Sequence, residues 1–210
     1  MWGAVPEVSL RMSQTGQFFV GSSYRCRGSR ARATGRDVLC ERLEDHAEKN
    51  RCAYDVVTSF QVIEHVADPM AFLVDLMNCI RPGGTVIVAA PNDDSFVGAE
   101  INGILNMPPH HVTRWPPSAL QYALAHAGAS EVVVHTEPLA EDHELEFFTQ
   151  ILLRALLNAR ANGVPLVRAD LRFRLASRVA SIIARWLARS MIATQHGVVG
   201  HNMVAVGRKP

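Results

Sequence analysis

Apolar residues in the first two thirds of the chain come in short unbroken runs, and towards its end they come at helical spacing. Asp37-Val38-Leu39-Cys40 is a brief apolar run, and Tyr54-Asp55-Val56-Val57-Thr58-Ser59-Phe60 is rich in β-branched and aromatic residues. Both predict buried parallel strands. Asp68-Pro69 then opens a segment with Phe72, Leu73, Leu76, Met77 and Ile80 one or two turns apart, a helix with Asp68 as N-cap and Pro69 as its first residue. Arg81-Pro82-Gly83-Gly84 reads as the turn that ends it, and Thr85-Val86-Ile87-Val88-Ala89-Ala90 as the next strand. Strand, helix, turn and strand within some forty residues make a βαβ unit, and with it a parallel α/β architecture.

A Pro- and Asn-rich loop over residues 91–115 leads to a helix near Pro117 to His126, with Gly128 placed to close it. Glu131-Val132-Val133-Val134-His135 predicts a further strand, residues 141–194 a long helical stretch, and residues 201–208 a last strand. Residues 1–36 are the least readable: arginines scattered among Gly and Ser, with Phe18-Phe19-Val20-Gly21 as a single short strand. The expectation is one domain with a core over 37–138, a helical insertion over 141–194 and a poorly defined amino-terminal segment.

Charge narrows the partners. Lys and Arg number 21 against 20 for Asp and Glu, so no overall field draws the protein to nucleic acid. Cys26, Cys40, Cys52 and Cys79 form no Cys-x-x-Cys pair, which fits reduced thiols in a cytoplasmic protein. The start carries neither a signal-peptide pattern nor an apolar run of spanning length, so a soluble chain is expected.

The ordered set from Tyr54 through Gln61-Val62-Ile63-Glu64-His65 and Asp68-Pro69 to Arg81-Pro82-Gly83-Gly84 and the strand ending at Pro91-Asn92 resembles the class I S-adenosylmethionine-dependent methyltransferases. The likeness is to the ubiquinone-biosynthesis O-methyltransferase type and its type 11 and type 12 relatives, over roughly residues 37–138. The resemblance implies a Rossmann-like sheet, mostly parallel with an antiparallel last strand, S-adenosylmethionine as cofactor and a small-molecule acceptor. Ligands of open parallel sheets bind beyond the carboxyl ends of the strands, which places Ser59, Phe60 and Gln61 at the cofactor cleft. By the same resemblance Leu43 and Glu44 lie against the adenine.

The family's Gly-x-Gly-x-Gly loop has no counterpart, because no two of the glycines here are separated by one residue. Glycine is needed there for a close backbone approach with unusual φ values. At the end of the Phe18 strand, Ser22 and Ser23 stand where the family has an acidic ribose ligand, and a neutral hydroxyl makes the weaker bond. Seventeen residues before Phe18 do not read as strand, loop and helix, so the expectation is a sheet truncated at its amino end, without its first strand, that binds the cofactor weakly or not at all.

Glu64 and His65 follow the strand end directly. His65 suits a general base with Glu64 orienting it, and the alternative is a pair of structural hydrogen bonds at the next helix. The resemblance implies a Glu-x-x-Glu-His metal cluster, but Gln61 holds its first position, and no metal is assigned. In Pro108-Pro109-His110-His111-Val112-Thr113-Arg114-Trp115, adjacent histidines on an extended loop diverge, which argues against a shared zinc. His111 is the candidate to face the acceptor, with Trp115 as an apolar wall or a core anchor.

Along 167–192, Val179, Ile182, Ile183 and Trp186 recur at helical spacing, with Arg174, Arg178, Arg185 and Arg189 on an adjoining face. Such a helix suits an anionic membrane surface; a solvated charged face or a homodimer contact fits the same pattern. A non-catalytic methyltransferase-like protein that works through this insertion is the alternative reading of the whole chain.

Overall fold

The computed structural model describes residues 7–11, 17–20, 37–39, 41–157, 167–190 and 197–210. Seven strands form one sheet: β1 (Glu7–Arg11), β2 (Gln17–Val20), β3 (Asp37–Leu39), β4 (Tyr54–Phe60), β5 (Ile80–Pro91), β6 (Ser130–Pro138) and β7 (Val199–Arg208), in the order β3-β2-β1-β4-β5-β7-β6. Strand β4 pairs parallel with β5 from Val56↔Thr85 to Phe60↔Ala89, and β2 pairs parallel with β3. Strand β7 runs antiparallel to β5: Gly83 N donates to Lys209 O at one end and Asn92 N to His201 O at the other. It is antiparallel to β6 as well, with Ser130 bonded to Arg208 and Leu139 to Val198.

Strand β1 corrects the reading of the amino end. The slot beside β4 is filled, by a strand antiparallel to both its neighbours, with Glu7 opposite Phe60 and Val8 opposite Val20. Its length of connection explains the direction. Five residues separate β1 from β2, enough for an antiparallel pair, whereas a parallel return needs a crossover of about a dozen residues or more.

The chain divides into two compact units. The first comprises residues 1–90, 117–135 and 204–210. Its helix α1 (Leu43–Lys49) buries Leu43, His46 and Ala47, positions i, i+3 and i+4 on one face. His46 fixes that face: Nε2 lies 2.7 Å from the Tyr54 hydroxyl and Nδ1 2.6 Å from Glu41, and burial pushes the Tyr54 hydroxyl up to about 12. Helix α2 (Pro69–Cys79) starts as expected, Asp68 Oδ1 accepting from Ala71 N at 2.9 Å, and buries Leu73, Leu76, Met77 and Cys79. At its far end the Lys209 ammonium donates to Met77 O and Ile80 O, each at 2.8 Å.

The Pro-Gly-Gly segment differs from its reading as a plain turn. It belongs to β5 as an irregularity between Tyr54↔Ile80 and Val56↔Thr85. Gly83 has φ +75, and a Cβ on Gly84 would lie 2.6 Å from Ile80 Cγ2 and 2.8 Å from Asp55 O. Both glycines bond to the backbone of Lys209, so pairing with β7 absorbs the turn into the sheet. Helix α3 (Pro117–His126) buries Leu120, Ala123 and Leu124. It closes on Gly128 (φ +100), with Ala129 N bonded to Leu124 O and Gly128 N to Ala125 O, the paired bonds of a Schellman cap.

The second unit comprises residues 91–116 and 136–203. The expected helical stretch contains a 3₁₀ turn at Glu141–His143, α4 (Glu144–Leu156) and α5 (Leu171–Ser190). The two helices pack through Leu153 and Ala180, joined by Ile101, Phe173 and Ala176. Asp170 caps α5 by accepting from Phe173 N at 2.9 Å. Asn102 is tied to the backbone of Arg168 by two bonds of 2.7 and 2.8 Å.

Candidate active site

The tip of β4 carries the expected residues in sequence. Val57 and Ser59 are fully buried and Phe60 is 49% exposed, so the strand ends with an aromatic side chain at the surface. Gln61 then takes φ +56 and donates its N–H to Ala89 O at 3.0 Å, which bends the chain away from the sheet while keeping it tied to β5. The Ser59 hydroxyl has no hydrogen-bond partner among the described residues.

Ile63–His65 forms a 3₁₀ turn held by His65 N donating to Val62 O. Val62 and Ile63, the two residues before Glu64, are buried and anchor the turn, and the Glu64 side chain is 1% exposed. Both Glu64 carboxylate oxygens lack a hydrogen-bond partner among the described residues, and His65 Nε2 stands 3.7 Å from one of them. Burial pushes the Glu64 carboxyl up to about 7, opposed by its own backbone N–H. A carboxyl that exchanges its proton near neutrality, next to a partly exposed imidazole, is a pair suited to proton handling.

Leu43 is buried in the first turn of α1, and Glu44 is exposed and paired with Arg42. Ser22 lies outside the described residues. His111 belongs to the second unit, where its Nδ1 is 3.1 Å from Asn106 Oδ1. The segment before it is a turn and not an extended loop: Met107 O accepts from His110 N and His111 N, and the two rings lie 5.2 Å apart. Trp115 is buried, its indole N–H donating to Thr113 Oγ1 at 2.9 Å.

Sequence reasoning passed over two further features of the second unit. Arg114 bonds Asp93 and the carbonyl of Gly98, closing residues 93–114 into a loop; the signal was a lone Arg beside Trp115. Glu100 stands next to Glu146, and burial with that neighbouring charge pushes it up to about 7. Nothing in the local pattern marks it, because its neighbour is 46 positions away.

A family profile described as Methyltransferase domain matches residues 20–132, over half of the chain. A ubiquinone biosynthesis O-methyltransferase of Maricaulis maris is 35% identical over 113 residues, covering 49% of this chain and 44% of that protein. The chain spans less than half the length of the curated relatives it matches. Among solved structures, a SAM-dependent methyltransferase of Thermotoga maritima, described as a possible histamine N-methyltransferase, superposes with a TM-score of 0.54. It is 18% identical, over 91% of this chain and 72% of that one. The [4+2]-cyclase SpnF gives 0.50 at 17% identity, over 91% and 65%; a protein described as a cyclase on this sheet illustrates that the fold alone does not set the reaction.

The described residues at the tip of β4 fit S-adenosylmethionine. The exposed Phe60 and the unpartnered Ser59 hydroxyl at the tip of β4 suit a ligand beyond the strand ends. Next to that tip stands the start of β1, with Glu7 opposite Phe60. The profile match, which begins after β1, together with the sheet order and the superposition makes this chain a member of the methyltransferase domain family, a class I S-adenosylmethionine-dependent methyltransferase by fold and sequence.

Proposed function

We propose that the chain acts on a hydroxyl-bearing small molecule as a slow methyltransferase with weakened hold on its cofactor. The observation that carries this reading is the buried Glu64 beside His65, directly after the parallel β4 tip. S-adenosylmethionine supplies the methyl group when bound. His65 takes the proton of the acceptor hydroxyl, and Glu64 in its ionised form, populated close to pH 7, stabilises the imidazolium that results. The relatives named for O-methylation support a hydroxyl acceptor, and the antiparallel β1 with no Gly-x-Gly-x-Gly in these 210 residues supports the weak hold.

The test is release of S-adenosylhomocysteine at millimolar cofactor across a panel of hydroxylated small molecules. Acceptor-dependent release is expected, falling about 100-fold in His65→Gln with cofactor affinity unchanged. Release that ignores the acceptor, or a His65→Gln variant as fast as the parent, contradicts the assignment. The non-catalytic reading, favoured by the exposed apolar face of α5, would then stand in its place.

A further inference from the structure

Helix α5 has two apolar faces, and one of them packs. Phe173, Ala176, Ala180 and Ala184 turn towards α4 and the Ile101 cluster. Leu171, Leu175, Val179, Ile182 and Trp186 lie on the other side of the helix, and each is between 45% and 68% exposed. At 100° per residue these five fall within an arc of about 80°, centred roughly opposite Ala180, and run about 22 Å along the axis. An exposed apolar stripe of that length is larger than the scattered single residues of an ordinary surface. The packing of α5 by its alanine face explains why the bulky residues are outside: small residues let the two helices approach, and the larger apolar ones stay on the solvent side.

Arg174, Arg178, Arg185 and Arg189 form a row along one flank of the stripe, Arg172 stands on the other, all five are exposed, and Leu171–Ser190 contains no acidic residue. Long guanidinium stems beside an apolar stripe reach upward to phosphate while the stripe sinks into acyl chains, and Trp186 suits the headgroup level. An antiparallel second copy docked through the same stripe would set the Arg174–Arg189 row against itself, a like-charge contact. No described helix is long and apolar enough to cross a membrane, so the helix lies in the plane of the surface.

We propose that α5 docks the protein onto an anionic lipid bilayer through Leu171, Leu175, Val179, Ile182 and Trp186, with the arginine row on lipid phosphate. This surface belongs to the second unit and does not rest on the catalytic reading. The full chain should co-sediment with vesicles of phosphatidylcholine mixed with phosphatidylglycerol, and bind vesicles of phosphatidylcholine alone at least about ten-fold more weakly. Arg174→Gln with Arg178→Gln should weaken binding to the mixed vesicles roughly twenty-fold, and Leu175→Asn with Ile182→Asn should abolish it. Quenching of tryptophan fluorescence by brominated lipid should appear in the parent and vanish in Trp186→Phe. Equal binding to both kinds of vesicle, or arginine variants that bind like the parent, overturns the proposal; so does a dimer in light scattering that the apolar variants dissolve. If the apolar variants lower the melting temperature, the arginine pair, which lies in solvent, decides the matter alone.

Discussion

Glu64 is a carboxyl buried without a hydrogen-bonding partner among the described residues, and this dictates how stability follows pH. Its folded pKa of about 7 stands above its usual 4.5. Below the lower value both states hold the proton, and the group costs nothing. Between the two, the unfolded chain releases its proton first, so stability falls as pH rises, by a total on the order of 3 kcal/mol once pH passes the folded value. Glu100 titrates in the same window, whereas the depressed His201 loses stability as pH falls. Glu64→Gln should therefore match the parent in urea unfolding at about pH 5 and exceed it by about 2 kcal/mol at about pH 8. Parallel stability curves for the two proteins would refute the buried carboxyl. The Glu64-His65 pair was legible in the sequence, but its burial was not. A charged residue just past a strand reads as exposed, and it is the 3₁₀ turn, anchored by buried Val62 and Ile63, that turns Glu64 inward. Gln61, flagged for its position, contributes most through a positive φ that composition does not reveal.

At the scale of elements, the cap residues were readable and the tertiary pairings were not. Asp68-Pro69 and Gly128 announce the start of α2 and the end of α3 because capping depends on local backbone geometry alone. The Pro82-Gly83-Gly84 segment has the composition of a turn, yet it becomes part of β5 because Lys209, more than a hundred positions away, pairs with it. Strand β1 escaped notice for a related reason: Glu-Val-Ser-Leu-Arg offers two apolar residues in five, too few to stand out until β4 provides a partner. Lys209 joins these elements by donating to the carbonyl end of α2. Charge-assisted bonds to carbonyls at a helix carboxyl end should make Lys209→Met cost about 1–2 kcal/mol, read as a lower midpoint in urea with an unchanged slope. A midpoint equal to the parent's would show that the contact contributes nothing net.

For the whole molecule, the sheet is mostly parallel with the expected antiparallel last strand, and β1 adds a second antiparallel strand. Strands β2, β3, β4, β5 and β6 run one way, and β1 and β7 run the other. The sequence around Phe18 suggested one short strand and no partner for it. It could not show that an antiparallel pair would take the slot, since that outcome depends on β4 offering an unpaired edge. Methyl transfer depends on holding methyl and nucleophile in line, and a weak hold on the cofactor is what we propose for this chain. Calorimetric titration of the 210-residue chain with S-adenosylhomocysteine measures that hold directly. The account predicts heats that fit a dissociation constant weaker than about 100 μM, weakened further in Phe60→Ala. Low-micromolar affinity would contradict it, because the tip of β4 would then hold the nucleotide tightly.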